Sequence, residues 1–149
     1  MNKDVQQQLL KLVKKNYEEI AADYDRTRRK HSDPLRKEME KYASKVEKGA
    51  RILDVGCGNG RLLELLPSED IDYLGVDSSE TLIEISKRRF PQYKFQAIDI
   101  LELDKLAESH FDHIFSVAVL HHIPGKDLRI KALKQMRGKL AEDGTILVT

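Results

Sequence analysis

The 149-residue sequence predicts an α/β fold, a doubly wound parallel sheet preceded by helices. Three observations predict it. From Gly49 onward, short apolar runs alternate with helical stretches, as strand–helix–strand crossovers require. One apolar run leads straight into a glycine-rich loop, G-x-G-x-G. The length suits one domain with a true core, which would bury roughly 68–70% of the unfolded chain's surface.

Before Gly49 the text is helical and reads as an N-terminal helical cap over residues 1–48. Val5, Leu9, Leu10, Val13, Tyr17 and Ile20 recur at three- and four-residue spacing and give an apolar stripe. A second helix is expected after Pro34, with Leu35, Met39, Tyr42 and Val46 on one face. Asp33 reads as its N-cap and Pro34 as its first helical residue. Residues 49–149 form the sheet domain. Its strands are expected at Arg51–Val55, Tyr73–Val76, Tyr93–Ala97, His113–Val119 and Thr145–Thr149. Helices are expected at Arg61–Leu66, Glu80–Arg89 and Asp127–Leu140, with an irregular piece at 101–108 and a turn at Glu142–Gly144.

Composition narrows the class. Apolar residues are 40% and charged residues 34%, too apolar for a disordered polymer and too charged for a membrane protein. No run is long and apolar enough to span a bilayer, and the N-terminus lacks the apolar core of a signal peptide. Cys57 is the sole cysteine, which excludes an internal disulfide and any multi-thiolate metal site. The expectation is a soluble, cytoplasmic protein without a metal. Net charge is +1, but residues 1–50 carry 13 Lys and Arg against 9 Asp and Glu, whereas the remainder carries 13 against 16. A polyanionic partner is neither shown nor excluded by this balance.

The segment Ile52-Leu53-Asp54-Val55-Gly56-Cys57-Gly58-Asn59-Gly60 carries most of the chemistry. Glycines let the backbone turn sharply and let a ligand touch the main chain. The spacing differs from the dinucleotide fingerprint, and Asp54 stands two residues before the first glycine. The alternative is a tight strand–helix turn without a ligand. Asp77 ends the second strand, 17 residues after Gly60, where one carboxylate can accept from both hydroxyls of a ribose. Asp77 or Ser78 would also serve as the N-cap of the following helix. Asp99 follows the third strand, where a carboxylate can accept from an exocyclic amine.

With these residues in view, ILDVGCGNG, GVDSS, AIDI, FDHIFSVAVLHHI and EDGTILVT resemble class I S-adenosylmethionine-dependent methyltransferases over residues 49–149. The resemblance implies a Rossmann-like sheet of about five strands in the order 3-2-1-4-5, and S-adenosyl-L-methionine as cofactor. It implies that Gly56, Gly58 and Gly60 approach the cofactor's methionine part with Asp54 beneath, and that Cys57, Asn59, Ser78 and Val117 lie beside it. Asp77 would hold the ribose, and Asp99 with Ile100 the adenine. Cys57 reads as packing rather than as a nucleophile. The family continues with two further strands, which this sequence does not contain. The chain stops inside an apolar, β-favouring run, so it is minimal, or pairs with another chain, or is truncated.

The flanks resemble a narrower group. YEEIA, Tyr24, Thr27-Arg28, SVAVLHH and Arg129-Ile130-Lys131-Ala132-Leu133 are similar to the tRNA wobble-uridine carboxymethyl methyltransferases and to the methyltransferase domain of animal AlkB-related enzymes. That group's aromatic–proline pair after Thr-Arg is missing, and no tryptophan is present. The resemblance implies tRNA as substrate, a small zinc-containing activator protein as partner, and Arg28 paired with the cofactor's carboxylate. Esterifying a carboxylate needs no strong base, because the carboxylate is already ionised near neutral pH. His121, after the fourth strand, is the best candidate for a titrating or anion-donating group, the alternative being a structural histidine. His122 and His110 have weaker claims. Tyr24 would stack on a base or the cofactor, or close the helix stripe. The competing readings are a small-molecule methyltransferase, and a non-catalytic cofactor-binding domain that needs a partner or associates through its last strand.

Overall fold

The structure, a computed structural model, describes residues 1–28, 35–67 and 70–149, with no side chain described at Arg28. The expected cap at Asp33-Pro34 lies outside the described residues. The helices are α1 (Lys3–Arg28), α2 (Leu35–Ala43), α3 (Glu80–Arg89) and α4 (Lys126–Lys139). The strands are β1 (Arg51–Val55), β2 (Asp72–Asp77), β3 (Lys94–Ala97), β4 (Phe111–Ser116) and β5 (Leu140–Val148). All five strands are parallel in one sheet ordered β3-β2-β1-β4-β5, as expected. The order reverses on either side of β1, which opens a crevice at the strands' C-terminal ends.

Side-chain alternation along β1 divides the core. Ile52 packs with Tyr73, Ile83, Phe95 and Ala43 of α2 on one face. Leu53 and Val55 pack with Leu74, Val76, Ile114 and Met136 of α4 on the other. Both faces are covered, as parallel sheets require.

Several elements depart from the expected boundaries. The helix expected over Arg61–Leu66 is one 3₁₀ turn, Arg61–Glu64, because Pro67 disfavours helical backbone at Leu66. The irregular piece forms a 3₁₀ stretch, Ile100–Lys105, broken at Glu102. β4 ends at Ser116 instead of Val119, since the chain turns away at Ala118 with φ +57°. β5 starts directly after α4, and its register jumps from Phe111–Leu140 to His113–Thr145. Glu142–Gly144 therefore bulges within the strand and does not precede it.

In α1 the buried stripe is rotated from the expected one. Val5 (43%), Leu9 (37%) and Ile20 (47%) are exposed. Gln6, Leu10, Val13, Tyr17, Ala21 and Tyr24 face the protein instead. The apolar arc of α1 is wider than its contact, so polar bonds choose the rotation. Gln6 Nε2 donates to Asp127 Oδ1 at 2.8 Å at one end of the helix, and Asp25 accepts from Asn59 at the other. No described helix is long and apolar enough to cross a membrane.

Leu53 is fully buried at the centre of the sheet. Leu53→Ala is expected to lower the unfolding free energy by about 2–5 kcal/mol. The measurement is a denaturant midpoint that falls at an unchanged m-value.

Candidate active site

The crevice at the strand ends is a cleft of about 780 Å³, counting its open mouth. Its floor comprises Gly56, Gly58, Asp77, Ser78, Asp99 and Ile100, and Val117–Val119 form the edge beyond β4. The wall opposite is α1, through Leu10, Val13, Lys14, Tyr17 and Tyr24. The helical cap thus builds the cleft and does more than cover the sheet.

The glycine loop folds back onto β2. The Gly56 and Cys57 amides both donate to Val76 O, at 2.8 and 3.0 Å, and the Gly60 amide donates to Cys57 O at 2.9 Å. The Gly58 amide donates to Asp77 Oδ2 at 3.0 Å. These four amides are all engaged, so they form no cradle for a pyrophosphate. The single 3₁₀ turn that follows adds little helix dipole, which corrects the expectation of a helix N-terminus there. The loop instead presents bare backbone to the cleft. Gly56 has φ +75°, and a Cβ there would stand 2.3 Å from Val119 Cγ2. At Gly58, with φ +55°, a Cβ would stand 3.2 Å from the Tyr24 ring.

Asp77 is bonded twice. Oδ2 takes the Gly58 amide, and Oδ1 takes the Ser79 amide at 2.9 Å. Burial pushes its carboxyl upward, these two amides oppose that, and Glu18 and Asp99 reinforce it. Neither Asp77 nor Ser78 caps α3. Ser79 does so, its Oγ accepting from the Leu82 amide at 3.1 Å. Asp99 Oδ1 accepts from the Leu101 amide at 2.8 Å and so caps the 3₁₀ stretch at the cleft.

Four of the sequence-derived site residues lie behind the cleft wall. Asp54 sits on the Tyr73 face of β1 and accepts the Tyr73 hydroxyl at 2.7 Å. Cys57 is buried, and burial pushes its thiol well above the usual range, as suits packing rather than nucleophilic chemistry. Asn59 is fully buried; its Nδ2 donates to Asp25 Oδ1 at 3.0 Å, and its carbonyl accepts from Arg89 at 2.7 Å. Arg89 also reaches Glu64 at 2.6 Å, so this group ties α1 and α3 to the loop. Gly60, in the left-handed region, packs beside Phe90. The Arg28 side chain is outside the described residues.

His121 is exposed and does not line the cleft, whereas His122 does. Both lie on a 3₁₀ turn, Leu120–His122, with their ring centroids 3.9 Å apart, and only the His122 ring borders the cleft. His122 Nε2 and the Tyr17 hydroxyl are 2.8 Å apart, joining α1 to this turn. Burial, then His121, lowers the His122 pKa. Among the described residues, no group of three or more His, Cys, Asp or Glu is placed to hold a metal ion. Sequence reading missed Lys14 and underweighted His122. Lys14 adjoins the Leu10–Val13–Tyr17 stripe, but a lysine beside a stripe ordinarily reads as solvated.

A family model described as a methyltransferase domain matches residues 53–146, more than half of the chain. The chain belongs to the S-adenosylmethionine-dependent methyltransferase family. Among relatives of this methyltransferase domain, the tRNA (carboxymethyluridine(34)-5-O)-methyltransferase of Saccharomyces cerevisiae is 34% identical over 91% of the chain. The chain spans 46% of that protein's length. A TehB-like SAM-dependent methyltransferase from Corynebacterium glutamicum superimposes with TM-score 0.69 at 29% identity, over 86% of this chain and 71% of that one. The methyltransferase in a complex with the Haloferax volcanii Trm112 activator shares the fold, with TM-score 0.66 at 20% identity, over 89% of this chain and 58% of that one.

Burial raises the Asp54 carboxyl to about 7, against the lowering effect of the Tyr73 hydrogen bond. The unfolded carboxyl titrates near pH ~4. Between about pH 4 and pH 7 the folded protein therefore holds a proton that the unfolded chain has lost, and stability falls as pH rises. Asp54→Asn keeps an acceptor for Tyr73 and is expected to remove that slope, on the order of 4 kcal/mol across the window. Denaturation of both proteins at a series of pH values checks this.

Proposed function

We propose that this chain binds S-adenosylmethionine in the cleft and transfers its methyl group to the carboxylate of a carboxymethyl group on a tRNA wobble uridine. The observation that carries cofactor binding is the pairing of Asp77 and Asp99 on one cleft floor with a glycine loop whose four amides are engaged. That arrangement suits a nucleoside joined to a non-phosphate tail. In this reading Asp77 accepts from the ribose hydroxyls with its remaining lone pairs. Asp99 takes the adenine amine with the oxygen that Leu101 does not use, and Ile98, Ile100 and Leu82 flank the base. Gly56 and Gly58 contact the methionine part, with Ser78 and Val117 beside it. Asp54, Cys57, Asn59 and Gly60 support the loop from behind, and the family resemblance assigns the cofactor's carboxylate to Arg28, whose side chain lies outside the described residues.

When bound, S-adenosylmethionine supplies a methyl activated as a sulfonium, so the ester O–C bond forms as the C–S bond breaks, its electron pair staying on sulfur. No proton has to move, so the protein's task is to align the reactants and exclude water. The Tyr17–His122 contact holds α1 against the loop beyond β4 for that purpose. The tRNA acceptor is supported by the likeness to the yeast protein. A small activator protein as partner and a cytoplasmic location belong to the same proposal. The first is supported by the flanking motifs and by the fold shared with the Haloferax chain.

Calorimetry with S-adenosylmethionine is expected to show binding that weakens at least tenfold in Asp77→Ala. Unchanged affinity in a folded variant would overturn the assigned ribose site. Incubation with tRNA carrying the free carboxymethyl group is expected to yield a base-labile methyl label. Base-stable label, or label only on small metabolites, would overturn the tRNA acceptor.

A further inference from the structure

We propose that Lys14 is the acceptor-specificity residue of this cleft, its ammonium pairing with a negatively charged group, a carboxylate, on the molecule to be methylated. The inference rests on the methyltransferase reading of the same cleft and adds the group that selects the acceptor.

The argument begins with helix spacing. Lys14 lies three residues before Tyr17 and four after Leu10, so all three share the α1 face that walls the cleft. A lysine on a helix can pair with an acid four residues on, although the reverse order is the stronger one. For Lys14 that acid is Glu18, but Glu18 is already committed to the first turn of α3. Its carboxylate accepts from the Thr81 hydroxyl, and bonds from Ser79 and from the backbone of Glu80 and Thr81 lower its pKa despite partial burial. Lys15, the next residue, does pair with its i+4 acid, Glu19, at 3.6 Å. Lys14 makes no ion pair among the described residues, although it lines the cleft.

The other charges in the cleft make this consequential. Asp77 and Asp99 line its floor, and both belong to the nucleoside end of the site. His122, beside Tyr17, is lowered in pKa by burial and adds no charge near neutral pH. Lys14, exposed at the cleft wall, is thus the one lysine or arginine among the described lining residues. Without it, a carboxylate entering this wall would meet two carboxylates and no cation from the described lining residues, and its ionised form would be disfavoured. An ammonium can hold one carboxylate oxygen and leave the other to attack. The ester product carries no charge, so the same lysine grips substrate more strongly than product.

The test uses the full chain with S-adenosylhomocysteine present. Binding of 5-carboxymethyluridine is compared with binding of its uncharged amide, 5-carbamoylmethyluridine, by calorimetry or nuclear magnetic resonance titration. Wild type is expected to prefer the acid by about tenfold. Lys14→Gln is expected to lose that preference with S-adenosylhomocysteine affinity unchanged, and Lys14→Arg is expected to keep most of it. A wild-type protein without the preference, or a Lys14→Gln variant that retains it, overturns the proposal. Methylation of tRNA is read separately. If wild type prefers the acid but leaves tRNA unlabelled, the tRNA acceptor fails and Lys14 remains the anion-reading residue. If tRNA is labelled and the preference is absent, the reverse holds.

Discussion

The Asp77 carboxylate bonds two amides at once, Gly58 in the loop after β1 and Ser79 before α3. Three elements of the cleft depend on that clamp. It sets the depth of the glycine loop, the direction in which β2 releases the chain, and the start of α3. A carboxylate suits this because its two oxygens can each take an amide and keep a lone pair for a further donor. Burial alone would push the group toward its neutral form, and the amides hold it back. In the proposed function, the same atoms that organise the loop would also meet the ribose.

The second constraint is the attachment of α1. A 26-residue helix laid across the strand ends needs fixed points along its length. Gln6 bonds Asp127 near its start, Tyr17 meets His122 in the middle, and Asp25 joins Asn59 and Arg89 near its end. These polar contacts choose which face of a broadly apolar helix turns inward. They leave Val5, Leu9, Leu12 and Ile20 exposed and bring Leu10, Val13, Lys14 and Tyr17 to the cleft. The Asp25–Asn59–Arg89–Glu64 group also explains why Asn59, inside the glycine motif, is absent from the cleft lining. Its side chain and carbonyl are both used to fasten the cap.

Much of the fold was legible because its signals are local. Apolar runs of four to seven residues, separated by helical periods and turn residues, prescribe strands and crossovers wherever they occur. The glycines at 56 and 58 and the acids closing β2 and β3 were legible for the same reason. The failures also have physical causes. The run His113–Val119 looks uniformly β-favouring, yet the backbone turns at Ala118, where φ is +57°. Ser79 outcompetes Asp77 as the cap of α3, because Asp77 is occupied by a residue from another strand–helix unit.

The sequence by itself determined the sheet, the glycine loop and the acids at the strand ends, since each follows from residues adjacent in the chain. Only the tertiary structure decided which residues of that motif face the cleft and which lie behind it. It also decided that His122 rather than His121 lines the cleft, and that Lys14, though exposed, borders it without an ion-pair partner among the described residues. Those outcomes depend on the rotation of α1 and on which acids are already engaged by distant groups. Such competition is settled by packing between segments about a hundred residues apart, Tyr17 with His122 and Gln6 with Asp127, and no local pattern records it.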